Sequence, residues 1–453
     1  VTWTFERRLL GAAVLAWAIV AAMNLLAGPP LGHDEAAFAI VARGDGPIWL
    51  YRSRGVVALA RLGLALGGAD WQLRLASAIV GLGVVLAVYA VGRAAFSART
   101  GAWAAAVIAG AHPMMVRNAE LLGDLPATAG VLAGVAVLVG ELGRPGGPRW
   151  RIALAAPAFA AAFYVRYGSI PVIAIAGLAA LVLWWRPIRA RPLPVLATAA
   201  LFVLLLVPHV MHSLRYTEEV FGVLHWSAGT PRLAYPGEGL VTYLTSNPFS
   251  YYGALVAPVM VAALVGLART FRSRPPWLLA IVALGQLLAI GIESHAQPRY
   301  LFIAIALLVV LGVETVRPLA RPRVALALAS AAWLGIAIGT IPYDRAVAHS
   351  RATITAAAAA IRADQGAGPC VVIAGLVAQL MWYTRCQGTR LDDIAPGTLA
   401  PDHDRYLVST PYTPLDGAAF AAAHGVTLVE LPTGNDRARV WALRSSTAAS
   451  TPR

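Results

Sequence analysis

Asp34 and Glu35 stand side by side in Gly32-His33-Asp34-Glu35, a few residues past the first long apolar stretch. A charged side chain at the centre of a membrane span costs roughly 2.5–3.5 kcal/mol on insertion scales, and less near the interface. Acids placed where a chain leaves a bilayer therefore mark candidate functional sites. The chemistry open to Asp34 is that of a general base, taking the proton of an acceptor hydroxyl within hydrogen-bond reach. Read structurally instead, Asp34 caps the helix-forming run 36–42, which explains one acid but not two. Glu35 is expected to orient the base or to solvate the turn.

A second acidic pair follows. Glu120 and Asp124 are four residues apart, with Arg117 three before Glu120, which predicts one shared helical face. They are expected to line the acceptor side of the site. The alternatives are an Arg117–Glu120 ion pair and a helix cap at Asp124. Arg52, Arg54, Arg166 and Arg299 fall where the chain is expected to leave the membrane on the same side as Asp34, and guanidinium groups bind phosphate by paired hydrogen bonds. The competing reading is snorkelling to lipid headgroups. Tyr300, Trp49 and Tyr51 suit interface anchors, although aromatic rings also suit sugar faces. His33, His209, His212 and His225 show no ligand spacing, so no metal residues are assigned and dependence on a divalent cation stays open. No Gly-rich phosphate loop follows a strand, and no Gly-x-Ser-x-Gly occurs.

These residues need elements to hold them, and composition says which kind. The 453-residue chain is 58% hydrophobic and only 13% charged, with a mean hydropathy of +0.67. That is the composition of a polytopic membrane protein. Its net charge of +14 comes from arginine alone, with no lysine. The arginines fall in small groups between apolar segments, which argues against nucleic acid and for membrane lipids as surroundings. Apolar segments run at 9–27, 72–92, 101–116, 125–140, 152–165, 168–185, 195–211, 250–268, 277–292, 301–316 and 324–341.

Every second connection between those segments is short and basic: Arg7-Arg8, Arg93/Arg99, Arg144/Arg149/Arg151, Arg186/Arg189/Arg191, Arg269/Arg272/Arg274 and Arg317/Arg321/Arg323. Short arginine-rich loops stay cytoplasmic. The expectation is about eleven spans in residues 1–341, with the N-terminus inside and the C-terminus outside. The first segment reads as a span, because Ala27-Gly-Pro-Pro is a poor cleavage site for a signal peptide. The first outward loop, 28–71, then carries the acidic motif, and polar chemistry collects on one side of the membrane.

Residues 342–453 turn polar. Strands are expected at Cys370-Val-Val-Ile-Ala, Tyr406-Leu-Val-Ser, Val426-Thr-Leu-Val-Glu-Leu and Arg439-Val-Trp-Ala-Leu. Helices are expected at 346–364, 377–384 and 417–424. The alternation predicts a small three-layer α/β domain outside the membrane. An oxidising compartment makes a Cys370–Cys386 disulfide plausible, the alternative being two buried thiols.

In this order and on this face, the motifs resemble the GT-C membrane glycosyltransferases, in particular the protein O-mannosyltransferase and aminoarabinose transferase group of glycosyltransferase family 39 and its relatives. The resemblance covers residues 1–341 and more loosely the rest. It rests on His33-Asp34-Glu35-Ala36, Trp71-Gln-Leu-Arg74-Leu-Ala-Ser77, Asp124-Leu-Pro126 and Pro298-Arg299-Tyr300-Leu. It implies an inverting transferase using a polyprenyl-phosphate-linked sugar donor, with Asp34 as base and a lipid, glycan or protein acceptor. The chain departs from the family where a Lys-Pro-Pro-like segment is replaced by Tyr51-Arg52-Ser53-Arg54-Gly55, and where Arg166 stands for a lysine.

Two other classes compete. A transporter or flippase of lipid-linked sugars would carry charges or broken helices at the bilayer midplane and two related halves; no internal repeat is legible. A non-catalytic anchor presenting its outer domain to a partner would leave the acidic loop idle.

Overall fold

A computed structural model describes residues 4–45, 52–228, 235–269, 272–294, 296–318, 322–366, 368–394 and 404–444. Trp49 and Tyr51 lie outside the described residues. The chain divides into two compact units. One comprises Val1–Leu26, Leu50–Leu59 and Arg74–Ile341; the other comprises Ala27–Trp49, Ala60–Leu73 and Pro342–Arg453.

The first unit is helical. Each of the eleven apolar segments falls on a helix or a pair of helices. Seven helices among the described residues are long and apolar enough to cross a membrane, and Trp150–Val165, Tyr167–Leu183 and Val256–Ala268 are shorter apolar helices. The protein is thus a multi-pass membrane protein. Helix is the expected solution, because only helices and closed barrels satisfy their own backbone polar groups in hydrocarbon.

Several of these helices start where sequence chemistry says they should, with proline in the first turn at Pro192, Pro275 and Pro298. Proline there loses no intrahelical bond. The core is built from small side chains such as Ala104, Ala105, Ala106 and Ala127, all fully buried, together with the Phe302–Val316 helix, buried from Phe302 to Val313. Small residues let backbones approach closely where no hydrophobic force acts between helices in lipid.

Some polar groups inside this unit are paired across helices. Asn24 donates to the Met115 carbonyl at 2.9 Å and to Asn118 at 2.8 Å. The Trp333 indole donates to the Ala106 carbonyl at 2.9 Å.

The second unit contains a five-stranded mixed sheet: β1 (Cys370–Ala374), β2 (Gln387–Arg390), β3 (Asp404–Ser409), β4 (Thr427–Leu431) and β5 (Arg439–Arg444). Their order is β2-β1-β3-β5-β4. β1 runs parallel to both β2 and β3, while β5 runs antiparallel to β3 and β4. The central strands carry continuous apolar runs, as Val372-Ile373-Ala374 and Tyr406-Leu407-Val408 are buried, whereas no residue of edge strand β4 is buried. β2, Gln-Gly-Thr-Arg, is an additional edge strand whose polar composition hides it from pattern reading.

The helix expected at 346–364 is the end of one 43-residue helix, Pro322–Asp364, with Pro342 inside it. The Gly417–His424 helix is capped by Asp416, whose carboxylate accepts from the Ala418 and Ala419 N–H groups. Cys370 and Cys386 are joined in a disulfide.

Candidate functional site

The acidic motif opens the helix His33–Arg43 in the second unit. Gly32, not Asp34, occupies the N-cap position, so the capping reading of Asp34 does not hold. Asp34 is half-buried on the first turn. Glu35 has a defined structural task. Its carboxylate accepts from the Gly32 N–H at 2.8 Å, closing the reciprocal half of a capping box. It is 2% exposed and lies 3.4 Å from Arg351, which also donates to the Pro30 carbonyl at 2.6 Å.

The helix packs on the Val377–Thr384 helix. Tyr383 fixes its approach, because the Leu31 N–H donates to the phenol oxygen at 2.7 Å and the phenol donates to Asp70 at 2.6 Å. Gln379 donates to the Leu31 carbonyl at 2.8 Å. At the far end of the helix Arg43 pairs with Asp45 and stacks 4.5 Å over the Trp382 ring. Burial, then repulsion from Arg385, lowers the Arg43 pKa, and Asp45 opposes both. The base candidate is therefore held by residues more than 300 positions away in sequence, none of which the local pattern could announce.

Three of the cationic candidates, Arg54, Arg166 and Arg299, gather in the first unit around the turn 164–167. Arg166 forms an ion pair with Asp124, which is 7% exposed, and lies 4.8 Å over the Tyr300 ring. Arg299 lies 5.4 Å from the same ring. Close backbone approach places this turn. Ser53 donates to the Val165 carbonyl at 2.8 Å, and the Arg54 N–H donates to the Tyr167 hydroxyl at 3.4 Å. A Cβ on Gly55 would lie 2.6 Å from the Tyr164 carbonyl oxygen, and one on Gly123 would collide with the Val165 carbonyl oxygen. Glycine at both positions is what lets the 164–167 turn nest between the chain at 53–56 and the start of the helix Asp124–Leu142.

Two unflagged residues hold the Arg299-Tyr300 step. Gln286 donates to the Tyr300 carbonyl at 2.7 Å and accepts from the Ala304 N–H at 2.7 Å. Tyr243 donates to the Gln297 carbonyl and accepts from the Gln297 N–H, each at 3.3 Å. Burial raises the Tyr243 pKa, so its hydroxyl stays protonated to hold this turn. Buried glutamine among apolar helix residues was the available signal, since a buried amide needs partners.

The second acidic pair departs from expectation. Glu120 and Asp124 do not share a helical face, because the chain leaves helix after Met115 and re-enters it only at Asp124, behind Gly123. Glu120 pairs with Arg117 at 2.8 Å, and Asp124 faces Arg166 instead. Ser77 donates to the Leu122 carbonyl at 3.1 Å and Arg74 is 3% exposed, so that motif is built into the packing below the turn. A cavity of only about 10 Å³ lies there, lined by Ser77, Arg117, Asn118, Glu120 and Asp124 among others.

Arg52 is half-buried, and Arg54 begins the helix Arg54–Ala65. His209 is buried against Phe163 and Tyr167, with ring centroids 4.7 and 4.9 Å away. Among the described residues no three His, Cys, Asp or Glu side chains come together as a metal site.

Comparison with known proteins agrees with this architecture. Residues 55–212 match the family described as Dolichyl-phosphate-mannose-protein mannosyltransferase. No significant match to a curated protein's sequence was found. The crystal structure of ArnT from Cupriavidus metallidurans in the apo state superposes with a TM-score of 0.72 at 15% identity, covering 98% of this chain and 99% of that one. The same enzyme bound to undecaprenyl phosphate superposes equally well, with a TM-score of 0.72 at 15% identity over 98% of each chain. The Archaeoglobus fulgidus oligosaccharyltransferase AglB, in complex with an inhibitory peptide and a dolichol-phosphate, gives a TM-score of 0.55 at 13% identity, covering 90% of this chain and 70% of that one. The chain thus has the fold of ArnT, and its residues 55–212 are similar to the protein mannosyltransferase family.

Proposed function

We propose that this protein transfers a sugar from a polyprenyl-phosphate donor to an acceptor hydroxyl at the outer face of the cytoplasmic membrane. The observation that carries this reading is the cluster of Arg166, Arg299 and Tyr300 with Asp124 in the helical unit. It supplies fixed cationic and phenolic groups in a fold shared with an ArnT that was solved with undecaprenyl phosphate bound.

In the proposed reaction the acceptor oxygen attacks the anomeric carbon and the bond from that carbon to the phosphate oxygen breaks. The acceptor proton passes to Asp34, and the polyprenyl phosphate leaves as an anion. Because an anionic phosphate is a competent leaving group, no general acid is required. Arg52, Arg54, Arg166 and Arg299 are the proposed phosphate-binding groups, stabilising negative charge as it develops. Glu35 is assigned to holding the Asp34 turn rather than to proton transfer, and Glu120 and Asp124 to orienting Arg117 and Arg166. Cys370–Cys386 suits an oxidising outer compartment.

The test uses the purified protein in nanodiscs with a panel of polyprenyl-phosphate sugars, scoring release of free polyprenyl phosphate. Asp34→Asn is expected to lower turnover by at least about a hundredfold, within the range general-base catalysis supplies, while donor binding changes little. Transfer by Asp34→Asn at the wild-type rate rules Asp34 out as base. Thiol labelling of an Asp34→Cys variant in intact cells tests the orientation, and labelling only from the cytosol overturns it.

A further inference from the structure

A second basic cluster lies away from the residues discussed so far. The loop before the Trp150–Leu154 turn and the loop before the Pro192–Thr217 helix meet in a groove of about 600 Å³, lined by Arg149, Trp150, Arg151, Arg191 and Leu193 together with prolines. Both loops belong to the helical unit, and the arginine rule assigns both to the cytoplasmic face. Their approach is direct, since a Cβ on Gly147 would lie 3.4 Å from the Pro187 carbonyl oxygen and 3.7 Å from the Arg191 side chain. Arg149, Arg151 and Arg191 are all exposed, and among the described residues none of the three guanidinium groups has a hydrogen-bonded or ion-paired side-chain partner. Glu141, an acid earlier in the same segment, is already paired with Arg144 at 3.3 Å.

The groove also carries apolar groups. Its lining includes Trp150 and Leu193, 64 and 67% exposed, and Leu154 and Leu196, 61 and 62% exposed, follow a few residues on in the two segments. Cations, an indole and exposed leucines together are the chemistry of a membrane interface, where tryptophan sits at headgroup depth. A nucleotide or nucleic acid would match the arginines but gain nothing from the leucines. A zwitterionic lipid would match the leucines but bring its own cation to the arginines.

We propose that this groove is a binding site for an anionic glycerophospholipid of the cytoplasmic leaflet, its phosphodiester held by Arg149, Arg151 and Arg191 and its acyl chain lying on Leu154, Leu193 and Leu196. Basic pockets between helices on the cytoplasmic side are the physical setting for such recognition. The site is independent of the transfer reaction, so it stands or falls separately from the proposed function.

The experiment is native mass spectrometry of the full chain released from mixed micelles holding equal amounts of phosphatidylglycerol and phosphatidylcholine with identical acyl chains. The wild type is expected to retain phosphatidylglycerol, and the variant R149Q/R151Q/R191Q to lose that preference by at least about tenfold, since each cation near an anionic headgroup contributes severalfold. The control R93Q/R99Q removes two exposed arginines elsewhere and is expected to keep the preference. Single substitutions at the three positions, each with a smaller loss, serve if the triple variant fails to fold in lipid-free detergent. Equal retention by wild type and the groove variants overturns the proposal, as does an equal loss in the control. Displacement of the lipid by millimolar glycerol 3-phosphate also overturns it, by showing a site for the free phosphate alone.

Discussion

The carboxylate of Glu35 and the guanidinium of Arg351, 316 positions apart in sequence, lie 3.4 Å from each other in the second unit. The same carboxylate oxygen receives the Gly32 N–H, so one buried acid closes the helix start and anchors it to the helix Pro322–Asp364. Asp34, its neighbour, inherits a fixed backbone without spending its own side chain on the cap.

Glu35→Ala is accordingly expected to lower the stability of this unit by about 1–3 kcal/mol, the cost of leaving buried polar groups unsatisfied. Glu35→Gln, which keeps an acceptor for the Gly32 N–H, should cost less. Thermal unfolding in detergent checks both. A Glu35→Ala variant as stable as the wild type contradicts the capping role.

Arg166 is bound on one side by Asp124 and on another by the Tyr300 ring. A double-mutant cycle of Asp124→Asn and Arg166→Gln is expected to show a coupling energy of about 1–3 kcal/mol, as for neighbours in one partly buried network. Kinetics on the same variants report function. Arg166→Gln should raise the donor KM, whereas a purely structural arginine would lower stability and leave the KM of the folded fraction alone.

Gly123 has no room for a side chain, since its Cβ would occupy the place of the Val165 carbonyl oxygen. Gly123→Ala should destabilise by about 1–3 kcal/mol through overpacking, and it should weaken donor binding by shifting Arg166. Gly177 is the control. Nothing lies within 4 Å of its Cβ position, so Gly177→Ala is expected to be neutral or to stabilise by up to about 1 kcal/mol through helix propensity. Urea or thermal titration of the pair checks the contrast.

The Cys370–Cys386 bridge closes a loop across a sequence separation of 16. Reducing it, or replacing both residues by serine, is expected to cost about 3 kcal/mol in the chain-entropy estimate for a loop of that size. Limited proteolysis with and without reductant would show the cleavage sites moving into the 370–390 region. An unchanged digest would mean the sheet is stable without the bridge.

Much of the architecture was legible in the chain. Apolar runs of span length place the helices, because in hydrocarbon each helix satisfies its own backbone and its boundaries are local. The helix at Gly417–His424 was legible between its flanking strands, and the Arg299-Tyr300 step in the Pro298-Arg299-Tyr300-Leu motif. β2 escaped notice because an edge strand of four polar residues draws its pairing from β1 rather than from its own side chains. The shared helical face assumed for Glu120 and Asp124 failed because the chain leaves helix after Met115 and re-enters it only at Asp124.

By itself, the sequence determined a multi-pass helical protein with a terminal sheet, and it named Asp34 and the arginines at the ends of its apolar runs. Only the tertiary structure decided which cation answers which acid. Thirty-six arginines offer each carboxylate many candidate partners, and hydrophobic periodicity carries no information on pairings hundreds of residues apart. Arg351 reaches Glu35, Arg166 reaches Asp124, and Arg149 and Arg191 come together over one groove because helix packing sets those distances, and charge attraction falls off too steeply to be read from composition.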